Sequence, residues 1–375
     1  MASGARRVTR AGATDLPDGV SASPEITPEE LQLALRNHGM HLEGLRHDLT
    51  PPGMHYLLIH FDVPVADETT WSLSIGGLVR NPVELSIADL RKRPKVTLPV
   101  TMECAGNGRA RLTPRPISQP WLTEAIGTAE WTGTPLRPLL EDAGIEGETV
   151  ELVFAGADRG IQGEVEHDYE RSLTIADAMR DEVLLAYEMN GARLPPQHGY
   201  PLRLLVPGWY GMTSVKWLTH ITAVGEPFEG FQQMVYRFRQ HPDDVGEPVT
   251  RIDPRALMIP PGIPDFLTRK RFVGPGRHRL RGRAWSGWGP IARVEVSTDG
   301  SSTWADAELG EAASPFAWVA FTFPWDASEP GEFELSCRAT DANGNTQPLE
   351  QPWNYNGFAN TSVQRIPVEV RPAAR

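Results

Sequence analysis

Glycine and proline interrupt this chain so often that no long helix can be drawn through it. With 35 Gly and 34 Pro in 375 residues, short apolar runs keep ending at turn residues, a pattern that favours many short strands over a helical bundle. At this length the chain has room for roughly two domains, each with its own core. The net charge of −12 argues against non-specific binding to nucleic acid or to an anionic membrane. An anionic small substrate would therefore need a local basic pocket. No apolar stretch approaches ~20 residues, so no transmembrane helix is expected. The Arg6-Arg7 pair lacks the apolar core that a secretory or twin-arginine signal requires. Two cysteines without a signal argue against a disulfide framework. The expectation is a soluble cytoplasmic protein.

Residues 1–23 are small and polar and are expected to form a mobile arm. Thr27-Pro28-Glu29-Glu30 carries an N-cap, a proline at the first helical position and a capping-box glutamate, so a short helix with Leu31, Leu33 and Leu35 should follow and end near Gly39. These residues make up an N-terminal segment, 1–50. From 51 to 250 strands alternate with helical pieces: "WSLSIGGLV" and "ELVFAGAD" read as strands, "TPLRPLLEDAG" as a helix. "IADAMRDEVLLAYEMNG" reads as a helix passing into a strand that closes on an Asn-Gly turn. "YPLRLLVPGWYGMTSVKWLTHITAV" reads as two buried strands about a Pro-Gly turn. The expected class is α+β. After the Pro-rich "RIDPRALMIPPGIPDF" the pattern changes. Val294 and Val296 share one strand face, as do Phe333, Leu335, Cys337 and Ala339, with Asp-Gly and Asn-Gly turn chemistry between strands. Residues 251–375 are expected to form an all-β, immunoglobulin-like sandwich, with Cys337 as a core residue.

Two stretches carry chemistry. "TMECAGNGRA" sets Cys104 between a β-like run and a loop with Gly106, Gly108 and Arg109. A polar, electropositive setting suits a thiolate better than a core plug. A P-loop fails for want of Gly-Lys-Ser/Thr, and a Rossmann fingerprint fails on spacing. Zinc is poorly supported, since no second cysteine lies nearby. A cysteine hydrolase stays open, because its histidine need be adjacent only in space. The second stretch, "PPQHGYPLRLLVPGWYGMTSVKWL", embeds His198, Arg203 and Lys216 among apolar residues. Such a set suits either an anionic ligand or ordinary solvated strand ends.

"TMECAGNGRA", "SQPWLTEAIGTAEWTG", "VLLAYEMNGARLPPQHGYPLRLLVPGWYGMTSVKWL" and "RAWSGWGPIARVEVSTDGSSTW" together resemble the sulfite oxidase family of molybdenum enzymes, in order over about residues 50–370. The resemblance implies a molybdopterin-binding α+β domain and an immunoglobulin-like domain that makes a homodimer. It implies Cys104 as the thiolate on molybdenum. Soft sulfur suits a metal that cycles between oxidation states. His198, Arg203 and Lys216 match positions that hold the pterin phosphate and ring edge. Asp158 matches a position that hydrogen-bonds the pterin, and His60 a histidine of the cofactor-side loop. Arg109 matches an arginine facing the substrate oxyanion. Trp121 and Tyr236 match the aromatic wall and the phenol of that pocket, with Tyr236 donating to the reacting oxygen. One molybdopterin with one molybdenum is implied. With no Cys-x-x-Cys-His site and no spare domain, neither haem nor flavin is expected, and electrons would pass to an external partner such as a cytochrome.

Two positions depart from the family pattern. Leu58 and Asn356 stand where arginines that help hold a dianion are expected, and Arg111, Arg115 and Arg237 are the candidate replacements. The leading expectation is oxidation of sulfite to sulfate. A second is the reduction of a less charged S-oxide or N-oxide. A third is a catalytically idle binding protein with a vestigial pocket.

Overall fold

The computed structural model describes residues 16, 19–23 and 25–372. Most of the expected N-terminal arm, with Arg6-Arg7, lies outside the described residues. The end of that segment is not loose: Val20–Ser21 pairs antiparallel with Arg115–Pro116. The first helix, Pro28–Arg36, starts as its sequence dictates. The Thr27 hydroxyl accepts the Glu30 N–H, and the Glu30 carboxylate accepts the Thr27 N–H at 2.9 Å. It stops at Asn37, slightly before Gly39, because the Asn37 amide turns back to bond the Leu33 carbonyl.

Two sheets build the first domain. One is antiparallel, in the order Ala192–Arg193, Leu184–Met189, Ile126–Pro135, Val96–Glu103, with Arg203–Leu205 also paired to Leu184–Met189. The other runs Val83–Ser86, Ser72–Gly77, Leu218–Val224, Glu151–Gln162, Val165–Thr174, with Leu218–Val224 parallel to Ser72–Gly77. Among the described residues the helices are short, so this domain is mostly β. "IADAMRDEV" is helical only over Ile175–Ala178; burial of Val183 and the strand behind it ends the helix early. Leu136–Ala143 is helical as expected. The two strands of "YPLRLLVPGWYGMTSVKWLTHITAV" lie in different sheets, so they form no hairpin. The segment between them crosses from one sheet to the other and becomes a wall of the site.

The second domain is a two-sheet sandwich. A four-stranded sheet (Arg255–Met258, Gly276–Trp285, Val319–Ala327, Glu308–Leu309) shares one core with a six-stranded sheet. In the latter, Gly331–Asp341 sits between Gln364–Val370 and Ile291–Ser297. The alternation predicts most of this core: Val294, Val296, Leu335, Cys337 and Ala339 are all buried within it, while Phe333 packs against it only partly buried. Cys337 is a core residue, its thiol pushed up in pKa by burial.

A further apolar cluster joins the domains, with Met40, Tyr210, Ile252, Trp285, Trp318 and Phe358 in one packed group. At its centre Glu103 forms a fully buried ion pair with Arg255 at 2.9 Å and accepts the Trp285 indole N–H at 2.8 Å. The strand that delivers Cys104 is thus anchored to the sandwich one residue earlier.

Candidate active site

Cys104 leaves the end of Val96–Glu103 and enters a tight turn, in which the Asn107 N–H bonds the Cys104 carbonyl at 3.0 Å and Arg109 N–H the Gly106 carbonyl at 3.1 Å. The two glycines serve different ends. Gly108 has φ +90°, and a Cβ on it would meet the Asn360 carbonyl at 2.7 Å. A Cβ on Gly106 would lie 2.7 Å from the Arg109 guanidinium, which folds back over it. The thiol is buried. Burial raises its pKa, while Arg109, the Gly106 N–H and the Trp121 indole pull the other way. That indole N–H is buried and leans toward the sulfur without full hydrogen-bond geometry to any atom. Among the described residues no histidine bonds the thiol, which leaves the hydrolase reading without its base.

Two cavities meet at this sulfur. The inner one, about 70 Å³, is lined by Cys104, His60, Asp158, His198, Arg203 and Lys216 among others. The outer one, about 400 Å³, is lined by Cys104, Arg109, Trp121, Tyr236, Gln162 and Gln232 among others. Leu58, His60 and Tyr236 border both. All nine residues singled out from the sequence therefore surround one continuous space.

The inner cavity has surplus positive charge. Arg203 donates to the carbonyls of His198 at 2.9 Å and Ser214 at 3.0 Å, and its guanidinium lies 4.8 Å from the centre of the Trp131 ring. Lys216 Nζ donates to the carbonyls of Leu58 at 2.8 Å and Gln197 at 3.0 Å. Among the described residues neither has a carboxylate within ion-pair distance, and buried cations without a counterion are unfavourable. Burial pushes Lys216 down in pKa, with Arg203 adding to the effect. Asp158 is pushed up by burial, and Lys216 opposes this. Its Oδ1 is buried with no partner. Burial holds His198 at about 2, with help from His55, Arg203 and Lys216, and holds His60 at about 4. These imidazoles are neutral at pH 7.

A molybdopterin offers an anionic phosphate, pterin N–H donors and sulfur ligands for the metal. The residues fit that group: one buried and one half-buried cation without a carboxylate in ion-pair distance, one orphaned buried acceptor, and one thiol. A single thiol could offer only one ligand, so a metal held here would need a non-protein group for its other positions.

In the outer cavity Arg109 donates Nε–H to the Asn356 carbonyl at 2.8 Å and lies 5.3 Å from the Phe358 ring centre. Tyr236 stacks on the same ring at 4.8 Å. Burial, with Cys104 adding to it, pushes the phenol up to about 12, so it is a donor at neutral pH. The replacement cations do not reach this space. Arg115 is consumed by a buried ion pair with Glu30 and by the Glu25 carbonyl. Arg237 bonds the carbonyls of Val245 and Gly246, and Arg111 lines a groove behind Trp121. Arg109 is the one arginine or lysine among the described residues lining the outer cavity. Side-chain amides supply most of the remaining polarity. Gln162 Oε1 lies 2.9 Å from His60 Nε2, and Gln232 Nε2 lies 2.8 Å from the same nitrogen.

Sequence reasoning missed His55, Tyr56, Tyr169 and Ser214, which line the inner cavity, and Gln162 and Gln232 in the outer one. His55 and Tyr56 stood in the run "HYLLIH", where polar residues amid leucines were the available signal. The glutamines carried none, because nothing local distinguishes them from surface amides.

Residues 60–232 match the family model described as oxidoreductase molybdopterin binding domain. Residues 258–371 match that of a Mo-co oxidoreductase dimerisation domain. A sulfite oxidase of Arabidopsis thaliana is 34% identical over 349 residues, covering 85% of this chain and 87% of that protein. One from Gallus gallus is 34% identical, covering 84% and 72%. A nitrate reductase [NADH] of Ulva prolifera is 32% identical over 87% of this chain and 41% of its own length. Among solved structures, the sulfane dehydrogenase SoxCD from Paracoccus pantotrophus matches with a TM-score of 0.76 at 26% identity, over 97% of this chain and 96% of the other.

Proposed function

The chain belongs to the sulfite oxidase family of molybdenum oxidoreductases, and from that premise we propose an oxygen-atom transferase whose substrate carries one negative charge or none at the reacting group. The observation that carries the substrate reading is the single Arg109 in the outer cavity, with Leu58 and Asn356 where further arginines would sit. Each lost charge-assisted bond is worth about 1.5–3 kcal/mol, so a dianion would bind weakly here. A small S-oxide, N-oxide or singly charged oxyanion fits better. Sulfite to sulfate is the second reading, favoured by the sulfite oxidase relatives.

Bound molybdenum would supply the two-electron chemistry of oxygen-atom exchange. The chain's own residues then divide the work. Arg203 and Lys216, with neutral His198, would hold the cofactor's phosphate end. Asp158 Oδ1 would accept a pterin N–H, and Cys104 would ligate the metal as thiolate, since metal binding outweighs the burial that disfavours it. Arg109 would orient the substrate's oxygen, Trp121 would wall one side, and Tyr236 would donate its O–H where negative charge develops. The sandwich is proposed to be immunoglobulin-like and to form a homodimer. The domain limits are proposed at 51–250 and 251–375, and electrons are proposed to pass to a separate carrier protein.

Metal analysis of protein from a host that makes molybdopterin tests the cofactor: one molybdenum per chain is expected, and Cys104→Ser should lose activity. Zinc, or no metal, would overturn it. Steady-state assays with sulfite and an artificial acceptor, beside dye-linked reduction of a sulfoxide and an N-oxide, test the substrate. Sulfite should saturate only at high concentration, and Leu58→Arg with Asn356→Arg should tighten it by roughly tenfold or more per arginine. Saturation by sulfite at micromolar levels in the native chain would reverse the order of the two readings.

A further inference from the structure

One surface breaks the usual pattern of scattered exposed apolar residues. Phe266 and Leu267 are 84% and 83% exposed, and Ile263 nearby is 66% exposed. They sit at the tip of a short hairpin whose strands Ile263–Pro264 and Arg271–Val273 form one edge of the six-stranded sheet. The tip is held in shape. Asp265 Oδ1 accepts the N–H groups of Leu267 at 3.1 Å and Thr268 at 2.7 Å, and the Asp265 N–H bonds the Lys270 carbonyl at 2.8 Å. A fixed turn that presents an aromatic and a leucine to solvent fits an interface anchor, because little ordering entropy is lost when such a residue is buried.

The same hairpin forms the rim of a groove of about 970 Å³ between the two domains. Thr268 and Arg269 line it together with Leu42, Met54, Trp121 and the half-exposed Leu122, beside the cations Arg111, Arg271 and Arg365. Thr268 and Arg269, which follow the tip, line the groove, so a two-fold axis near the rim would bring each tip to the other chain's groove. This is a closed, self-complementary contact. The hairpin and part of the groove lie inside residues 258–371, the stretch matched to a dimerisation domain, which makes a second copy of this chain the occupant.

We propose that Phe266 and Leu267 of one protomer anchor the homodimer by inserting into this groove of its partner. The proposal rests on the homodimer reading above and adds where the contact lies. Its consequence reaches the chemistry, because Trp121 walls both the groove and the outer cavity. The partner's tip would then close the back of the substrate pocket.

Sedimentation equilibrium of the molybdenum-loaded protein tests this. The native chain should be a dimer at micromolar concentration. Phe266→Asp with Leu267→Asp should dissociate it, with self-affinity weakened roughly a hundredfold or more. Unchanged far-ultraviolet circular dichroism would show that the variant is folded, and Phe266→Ser with Leu267→Ser serves if it is not. A second measurement uses Leu122→Cys with Leu267→Cys. Both native cysteines are buried, so mild oxidation should link the introduced pair between chains and give a covalent dimer on a denaturing gel. A native dimer that the double variant leaves intact, or no interchain cross-link, overturns the placement alone. A native monomer overturns the homodimer reading and this proposal together.

Discussion

At the residue scale the inner cavity is defined by what its charges lack. His55 and His198 are buried with ring centres 5.4 Å apart, and His55 Nε2 has no partner. Burial holds His55 at about 4 and His198 at about 2, both below the ordinary imidazole value of 6.5. The unfolded chain therefore takes up these protons near pH 6.5, while the folded chain does not. The stability these groups contribute is fully present above pH 6.5 and is lost below it, down to about 4 for His55 and about 2 for His198. The slope is about 1.4 kcal/mol per pH unit for each histidine. Cofactor-free protein should thus show a falling urea midpoint between pH 7 and pH 5, and a flat profile would contradict the buried neutral pair. The two cysteines should separate cleanly. Cys337→Ser buries a hydroxyl in an apolar sandwich core and should cost about 1–3 kcal/mol, with molybdenum content per folded chain unchanged.

Among the elements, the N-terminal helix does more than its length suggests. Leu33 and Asn37 line the outer cavity, and Asn37 also donates to Gln119 Oε1 at 3.0 Å. The helix is pinned by Glu30, whose carboxylate is fully buried against Arg115. Removing one partner of such a pair leaves the other charge buried and costs about 3–5 kcal/mol. Glu30→Ala is therefore expected to release residues 25–37 first, read as faster amide exchange there while the strands around Cys104 stay protected. Substrate KM should rise with it, because the outer cavity loses a wall. Uniform acceleration of exchange across the whole chain would show instead that the helix is no separable unit.

For the whole molecule, the question is whether two domains behave as two. The shared apolar cluster and the buried Glu103–Arg255 pair tie them together one residue from Cys104. The native chain should unfold in one calorimetric transition. Glu103→Ala removes the tie, strands the buried Arg255, and should lower stability by about 3–5 kcal/mol while splitting the transition in two. Two transitions in the native chain would contradict the coupling. Glu103 stood in plain view in "TMECAGNGRA", yet nothing in its neighbours revealed a partner 152 positions away.

What the sequence determined by itself is local. The capping box at Thr27, the left-handed turn at Gly108, the core face of Leu335, Cys337 and Ala339, and the thiol-bearing loop all follow from steric and periodic rules acting within a few residues. Family resemblance then named nine site residues, and the fold gathers all nine around one space. Only the tertiary structure decided which charges are answered. Arg115 looked available and is taken by Glu30; Arg203 and Lys216, which by spacing suited either an anionic ligand or solvated strand ends, are left without a carboxylate in ion-pair distance. It also decided that the strands flanking Pro207-Gly208 separate into two sheets. The reason is physical. Turn chemistry and alternation are set by neighbours along the chain, whereas charge pairing and cavity closure depend on contacts between segments far apart in sequence.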